Sequence, residues 1–191
     1  MTAQTKVLNR GNSELDPGLV GMVIFLMTEV MFFAGLLVAQ SVLWVQQTSV
    51  WPPPGQPRLP MGLSLTNTLI LLASGYCLAE AFRQQRWSRI LFRVSLGLGA
   101  VFLVVQGYEW FRMLRHGLSV STGVYGGFFY AIIGSHAVHA LGGLGVLIWM
   151  EFRLRKEGYE QTIQDYFVPS LFWFFVVGVW PVLFVTVYGV G

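Results

Sequence analysis

The chain has 191 residues, of which 54% are hydrophobic and only 11% charged, with a mean hydropathy of +0.60; a soluble domain carries about 25% charged residues. Its net charge of +3 comes without a clustered basic face, which argues against nucleic-acid binding, and its single cysteine, Cys77, excludes an internal disulfide scaffold. The apolar residues fall in long blocks, each near the roughly 20 residues a membrane-spanning helix needs. The expected fold class is therefore all-α: a polytopic membrane protein with five transmembrane helices in one bundle.

Residues 1–17 form a polar N-terminal segment without an apolar h-region, so no cleaved signal peptide is expected. Residues 18–191 form the transmembrane domain. Asp16-Pro17 is a helix-start signal for a first helix over 18–45. This helix contains "GMVIFLMTEVMFF" (21–33), an apolar run interrupted by Glu29. A proline-rich connection (46–62) is expected to be extended and stiff. The second helix spans 63–82, and Glu80 stands three residues before Arg83, the spacing of a local ion pair. The third spans 90–113. Gln106 and Glu109 share one of its faces, beside Tyr108 and Trp110, where interfacial hydrogen bonding is the ordinary explanation.

The fourth helix spans 124–152 and carries "GSHAVHALGG", with His136 and His139 three residues apart on one face. Gly123, Gly126, Gly127, Gly134, Gly142, Gly143 and Gly145 favour close helix packing there, and Gly123 and Gly127 have GxxxG spacing. The fifth helix spans 167–188 and contains Pro181, which should kink it. Trp44, Trp51, Trp87, Trp110 and Trp149 fall at expected membrane interfaces. Lys6, Arg10, Arg83, Arg86, Arg89, Arg93, Arg153, Arg155 and Lys156 lie on the side of the N-terminus, and Arg58, Arg112 and Arg115 on the other. That asymmetry puts the N-terminus inside and the C-terminus outside.

A charged carboxylate in mid-membrane costs at least ~2.5 kcal/mol on the insertion scale, so Glu29 marks a functional or structural site. It lies roughly 15 Å into the first helix at 1.5 Å per residue. Even a neutral acid at that depth needs hydrogen-bond partners. Counted from the inner end of the fourth helix, His139 lies roughly 18 Å deep and His136 roughly 22 Å. Helices one and four are therefore expected to pack together, with Glu29 bonded to His139 directly or through water. Two histidines and a glutamate also resemble part of a metal ligand set. The third histidine, His116, falls in a loop far from the other two, so a satisfied polar pair is the favoured reading and no metal is expected. No nucleophile motif, P-loop or dinucleotide fingerprint is present.

Four stretches carry a resemblance. "GMVIFLMTEVMFF" is similar to the run around the buried glutamate of the haem-copper (cytochrome c) oxidase subunit III family. "WPPPGQPRLP…LTNTLILLASG" resembles its proline loop and Asn-Thr helix start, "FLVVQGYEW" its Gln-x-x-Glu-aromatic segment, and "FFYAIIGSHAVHALGG" its Gly-x-His-x-x-His stretch. They occur in the family's order over most of residues 18–150. The longer members have seven helices, and the five here correspond to the last five, a short form.

Two departures stand out. Tyr166 and Pro169 replace a histidine and an aspartate at the start of the last helix, and "DPGLVG" lacks the basic residue that holds a lipid phosphate. Both also fit a divergent relative, such as an accessory protein of a nitric oxide reductase.

The resemblance implies a non-catalytic subunit of an aerobic terminal oxidase that reduces O2 to water and translocates protons. Such a subunit stabilises the catalytic subunit, binds phospholipid and supports proton uptake. The haem and copper would reside in partner subunits I and II, with none in this chain. Cytochrome c or quinol would feed the complex in a bacterial plasma membrane or equivalent respiratory membrane. Glu29 matches the family's carbodiimide-reactive carboxylate, and His136 and His139 match its paired histidines. Phe25, Phe32, Phe33, Leu36 and Leu37 are candidate partner-contact residues, helices one and two being the expected contact surface. A small proton channel or transporter using Glu29 and His139 is a further alternative. A transporter of that kind usually shows broken helices or inverted repeats, which this sequence lacks.

Overall fold

The computed structural model describes residues 16–46, 61–117, 123–157 and 163–188. Most of the N-terminal polar segment and of the proline-rich connection, Trp51 included, lies outside them. Five long helices make up nearly all of the described chain: α1 (Pro17–Gln46), α2 (Met61–Arg83), α3 (Ser88–Arg115), α4 (Val124–Glu157) and α5 (Phe167–Tyr188). Each is long and apolar enough to cross a membrane. Short 3-10 turns at Gln85–Trp87 and Ile163–Tyr166 lead into α3 and α5. No strand occurs among the described residues.

The helix ends have local causes. Pro17 occupies the first position of α1, where its missing N–H is not needed. The Asp16 carboxylate accepts the Gly18 N–H at 2.9 Å. Gly117, at φ +87°, follows the end of α3 in the left-handed conformation that glycine adopts without cost. Gly123, at φ +109°, immediately precedes α4, and its carbonyl accepts the Gly127 N–H at 3.0 Å. Gly123 and Gly127 thus start a helix. Gly123 lies outside α4, and a Cβ there would meet nothing within 4 Å. Pro181 sits inside α5, which continues through it to Tyr188.

α5 is the hub: it packs against α1, α2 and α4, while α2 pairs most extensively with α3. The close approach of α5 depends on three glycines. A Cβ on Gly99 would sit 2.7 Å from the Trp173 ring, one on Gly143 2.8 Å from the same ring, and one on Gly75 2.8 Å from Val177. Trp173 is therefore clamped between α3 and α4 at positions where no larger residue fits. Its indole N–H donates to Ser74 Oγ on α2 at 3.1 Å, and Ser74 Oγ donates to the Ser95 carbonyl on α3 at 2.8 Å. One tryptophan thus ties four helices together, its polar atom satisfied as burial demands.

α1 stands apart. It leans on α4 and α5, and Phe33 is its one fully buried residue. Ile24, Met27, Met31 and Val38 are each more than 60% exposed and line its outward face. Phe25 and Phe32 are exposed as well, whereas Leu36 and Leu37 pack partly onto the core. Phe33 corrects the expected contact set: its ring packs against His136, His139 and Phe175, so it cannot meet a partner.

At the other helix ends, Glu80 pairs with Arg83 at 3.0 Å as its spacing suggests. An unanticipated link joins α3 to α4: Arg93 and Arg155 both donate to Glu151 Oε1, at 2.9 and 2.6 Å. Trp44, Trp87 and Trp149 are about half exposed near helix ends, as interfacial tryptophans are.

Candidate functional site: two intramembrane polar clusters

The first cluster joins residues 110 apart in sequence. His139 Nε2 on α4 lies 2.7 Å from Glu29 Oε2 on α1. The other ring nitrogen, Nδ1, is 2.7 Å from the Ser135 carbonyl one turn earlier. A carbonyl can only accept, so Nδ1 carries a proton and donates it. The Glu29–His139 contact then holds one further proton between two atoms. Either the acid donates to a neutral Nε2, or an imidazolium donates to the carboxylate. The pair carries no net charge in both arrangements, which suits a hydrocarbon setting.

Phe33 (5.2 Å), Phe32 (6.2 Å) and Phe172 (6.2 Å) ring the imidazole. The two side chains are 18% and 17% exposed, so they lie at the margin of this chain's bundle and not in its centre. Among the described residues, none covers the outward face of α1. Both nitrogens of His139 are occupied, which leaves none for a metal. Among the described residues, no three or more His, Cys, Asp or Glu side chains cluster as a ligand set.

His136, which matches the first of the paired histidines, does not join this pair. It is fully buried, and neither ring nitrogen has a hydrogen-bond partner among the described residues. Its ring lies 4.7 Å from that of Trp180 and 6.0 Å from that of Phe102. The i, i+3 spacing put both histidines on one broad face of α4. That face is wide enough for His139 to reach α1 while His136 points into the core.

The second cluster is buried between α2 and α3. Glu109, 2% exposed, accepts from Ser64 Oγ at 2.7 Å and from Gln106 Nε2 at 3.3 Å. The Tyr188 hydroxyl at the end of α5 bonds to the same carboxyl. Asn67 Nδ2 donates to Gln106 Oε1 and to the Phe102 carbonyl, both at 3.3 Å. Thr68 accepts the Trp180 indole N–H at 2.9 Å. Glu109 thus lies inside the bundle, with side-chain donors from three helices. Ser64, Asn67 and Tyr188 escaped the sequence reading. The signal for two of them was present in Ser64, Asn67, Leu71 and Ser74, spaced by three and four along one face of α2. Asn67 stands in the second turn of α2, so "TNT" is inside the helix and does not start it.

The family profile described as "Cytochrome c oxidase subunit III" matches residues 4–191. The chain belongs to the cytochrome c oxidase subunit III family. It is 32% identical to a "Probable cytochrome c oxidase subunit 3" of Nocardia farcinica, over 98% of this chain and 93% of that protein. A "Cytochrome c oxidase subunit 3" of Corynebacterium diphtheriae is 34% identical over 88% of this chain and 86% of its own length. The subunit of the same name from Tachyglossus aculeatus aculeatus is 33% identical over 96% of this chain and 71% of its own. With five membrane-length helices, this subunit III family member is an integral membrane protein.

Proposed function

We propose that the chain is the non-catalytic third subunit of a haem-copper terminal oxidase, in a complex that reduces O2 and translocates protons. The match across residues 4–191 carries this reading. It favours an oxidase over a nitric oxide reductase accessory protein or a free-standing channel. The redox centres belong to subunits I and II, and this chain contributes stability to the catalytic subunit. The outward stripe of α1 seats against the haem-bearing partner, with help from exposed residues of α2 such as Leu65 and Leu69. Phospholipid fills the remaining apolar surface.

The Glu29–His139 pair is the proton-related site. It sits at the edge of the bundle, where a partner or lipid completes its cover, and it holds a proton that can shift by one hydrogen bond. The N-terminus faces the cytoplasmic side of a bacterial plasma membrane, in accord with the basic residues at the ends of α2, α3 and α4 on that side. Cytochrome c or quinol supplies electrons to the complex.

The test is the oxidase prepared without this chain. It should keep its haem spectrum and still consume O2, while losing activity faster during turnover than the complete complex. Complete loss of O2 consumption with the haems intact would contradict a non-catalytic role.

A further inference from the structure

Two arginines on different helices share one carboxylate oxygen at the end of the bundle where α3 begins and α4 ends. Arg93 Nε on α3 and Arg155 Nε on α4 donate to Glu151 Oε1 at 2.9 and 2.6 Å. Their guanidinium groups are therefore close enough for a single anion to touch both. Glu151 is buried, whereas the Arg93 and Arg155 side chains are 47% and 58% exposed, so the guanidinium groups lie on the outer side of the carboxylate. Two cations beside one carboxylate leave an excess of positive charge. Arg89, one turn before Arg93, and Lys156, next to Arg155, add to it.

The helix lengths put this charge at headgroup level. α3 has 28 residues and α4 has 34. At 1.5 Å per residue they are roughly 42 and 51 Å long, against a hydrocarbon core of about 30 Å. Their ends therefore project into the headgroup region. Arg155 stands two residues from the end of α4, and Arg93 in the second turn of α3.

Towards the membrane centre the same surface turns apolar. Arg93, Leu96 and Ala100 are spaced by three and four along one edge of α3, and Ile148, Glu151 and Arg155 likewise along one edge of α4. The Arg93–Glu151 bond joins the two edges. Leu96 and Ala100 are partly exposed and Ile148 is 40% exposed, so an apolar seam leads away from the arginines. A free anion would use the charges alone, whereas a lipid uses both charges and seam. Basic pockets between membrane helices bind lipid headgroups of this kind.

We propose that an anionic phospholipid binds here, its phosphate held between the Arg93 and Arg155 guanidinium groups and its acyl chains laid along the α3–α4 seam. Guanidinium forks match phosphate oxygens in both charge and geometry. This gives the phospholipid around the bundle one fixed seat and a headgroup class. It rests on the oxidase reading in one respect, that the chain is purified within that complex.

The test is lipid analysis by mass spectrometry of the purified complex, washed in detergent to constant lipid content. Arg93→Gln with Arg155→Gln removes both charges and keeps amide donors for Glu151. The double variant should lose one anionic phospholipid per chain relative to the unsubstituted complex, and Arg115→Gln, at the other end of α3, should lose none. Equal retention in the double variant, an equal loss from Arg115→Gln, or an intact O2-consuming complex without anionic phospholipid would each overturn the proposal and leave the subunit assignment standing. An electron cryomicroscopy map of the unsubstituted complex decides the matter if the double variant fails to assemble. Phosphate density within hydrogen-bond reach of both guanidinium groups, continuous with acyl density along α3 and α4, is expected. A partner subunit's side chain in that place, or anion density without acyl chains, would contradict it.

Discussion

His139 Nε2 and Glu29 Oε2 stand 2.7 Å apart, and this bond fastens α1 to a bundle that otherwise touches it lightly. Replacing Glu29 by Ala leaves His139 Nε2 without a partner and should cost about 1–3 kcal/mol. Replacing it by Gln keeps a donor in place and should cost about 1 kcal/mol or less. Thermal denaturation of the detergent-solubilised complex checks the order. Equal melting temperatures for the Ala and Gln variants would mean that the bond does not hold α1.

The glycine clamp makes a sharper contrast. A methyl group at Gly99 would lie 2.7 Å from the Trp173 ring, whereas one at Gly97, on the same helix, would meet nothing within 4 Å. Gly99→Ala should therefore destabilise by about 1–3 kcal/mol through overpacking. Gly97→Ala should be neutral or slightly stabilising, since alanine is the better helix former. The yield of folded chain against temperature separates them.

Glu109 is held by Ser64 and Gln106 inside the bundle. Glu109→Leu removes the common acceptor and strands the buried donors around it, at a cost of about 1–3 kcal/mol. The loss in the double variant Glu109→Leu with Ser64→Ala should be smaller than the sum of the two single losses, because both changes remove the same bond. A double-mutant cycle read by denaturation measures the coupling. Strict additivity would place the two residues in separate environments.

The outward face of α1 can be probed without adding charge. Met31 is 73% exposed. Met31→Trp keeps the helix apolar, so insertion is unaffected, but it changes the shape presented to a neighbour. If this face seats on the haem-bearing subunit, recovery of the complex should fall several-fold. Recovery at the level of the unsubstituted chain would assign the face to lipid.

Much of this architecture was legible in the residues, for a physical reason. Hydrocarbon demands long apolar helices, so hydropathy located all five to within a few residues, and a fixed rise per residue brought Glu29 and His139 to one depth. Rotation about the helix axis was not legible, since lipid-facing and core-facing surfaces are both apolar. Phe33 therefore looked like its exposed neighbour Phe32, and His136 looked like His139. The clamp of Gly99 and Gly143 on Trp173, and the pairing of Arg93 with Glu151, depend on which helices adjoin, and no local pattern encodes that.

The most direct measurement is purification of the tagged chain from its native membrane in mild detergent, followed by a reduced-minus-oxidised haem spectrum and an O2-consumption assay. As subunit III of an oxidase, the chain should carry with it a haem-bearing partner and O2 consumption supported by cytochrome c or by quinol. Recovery of the chain free of haem, from membranes whose oxidase stays intact and active in the unbound fraction, would contradict the account.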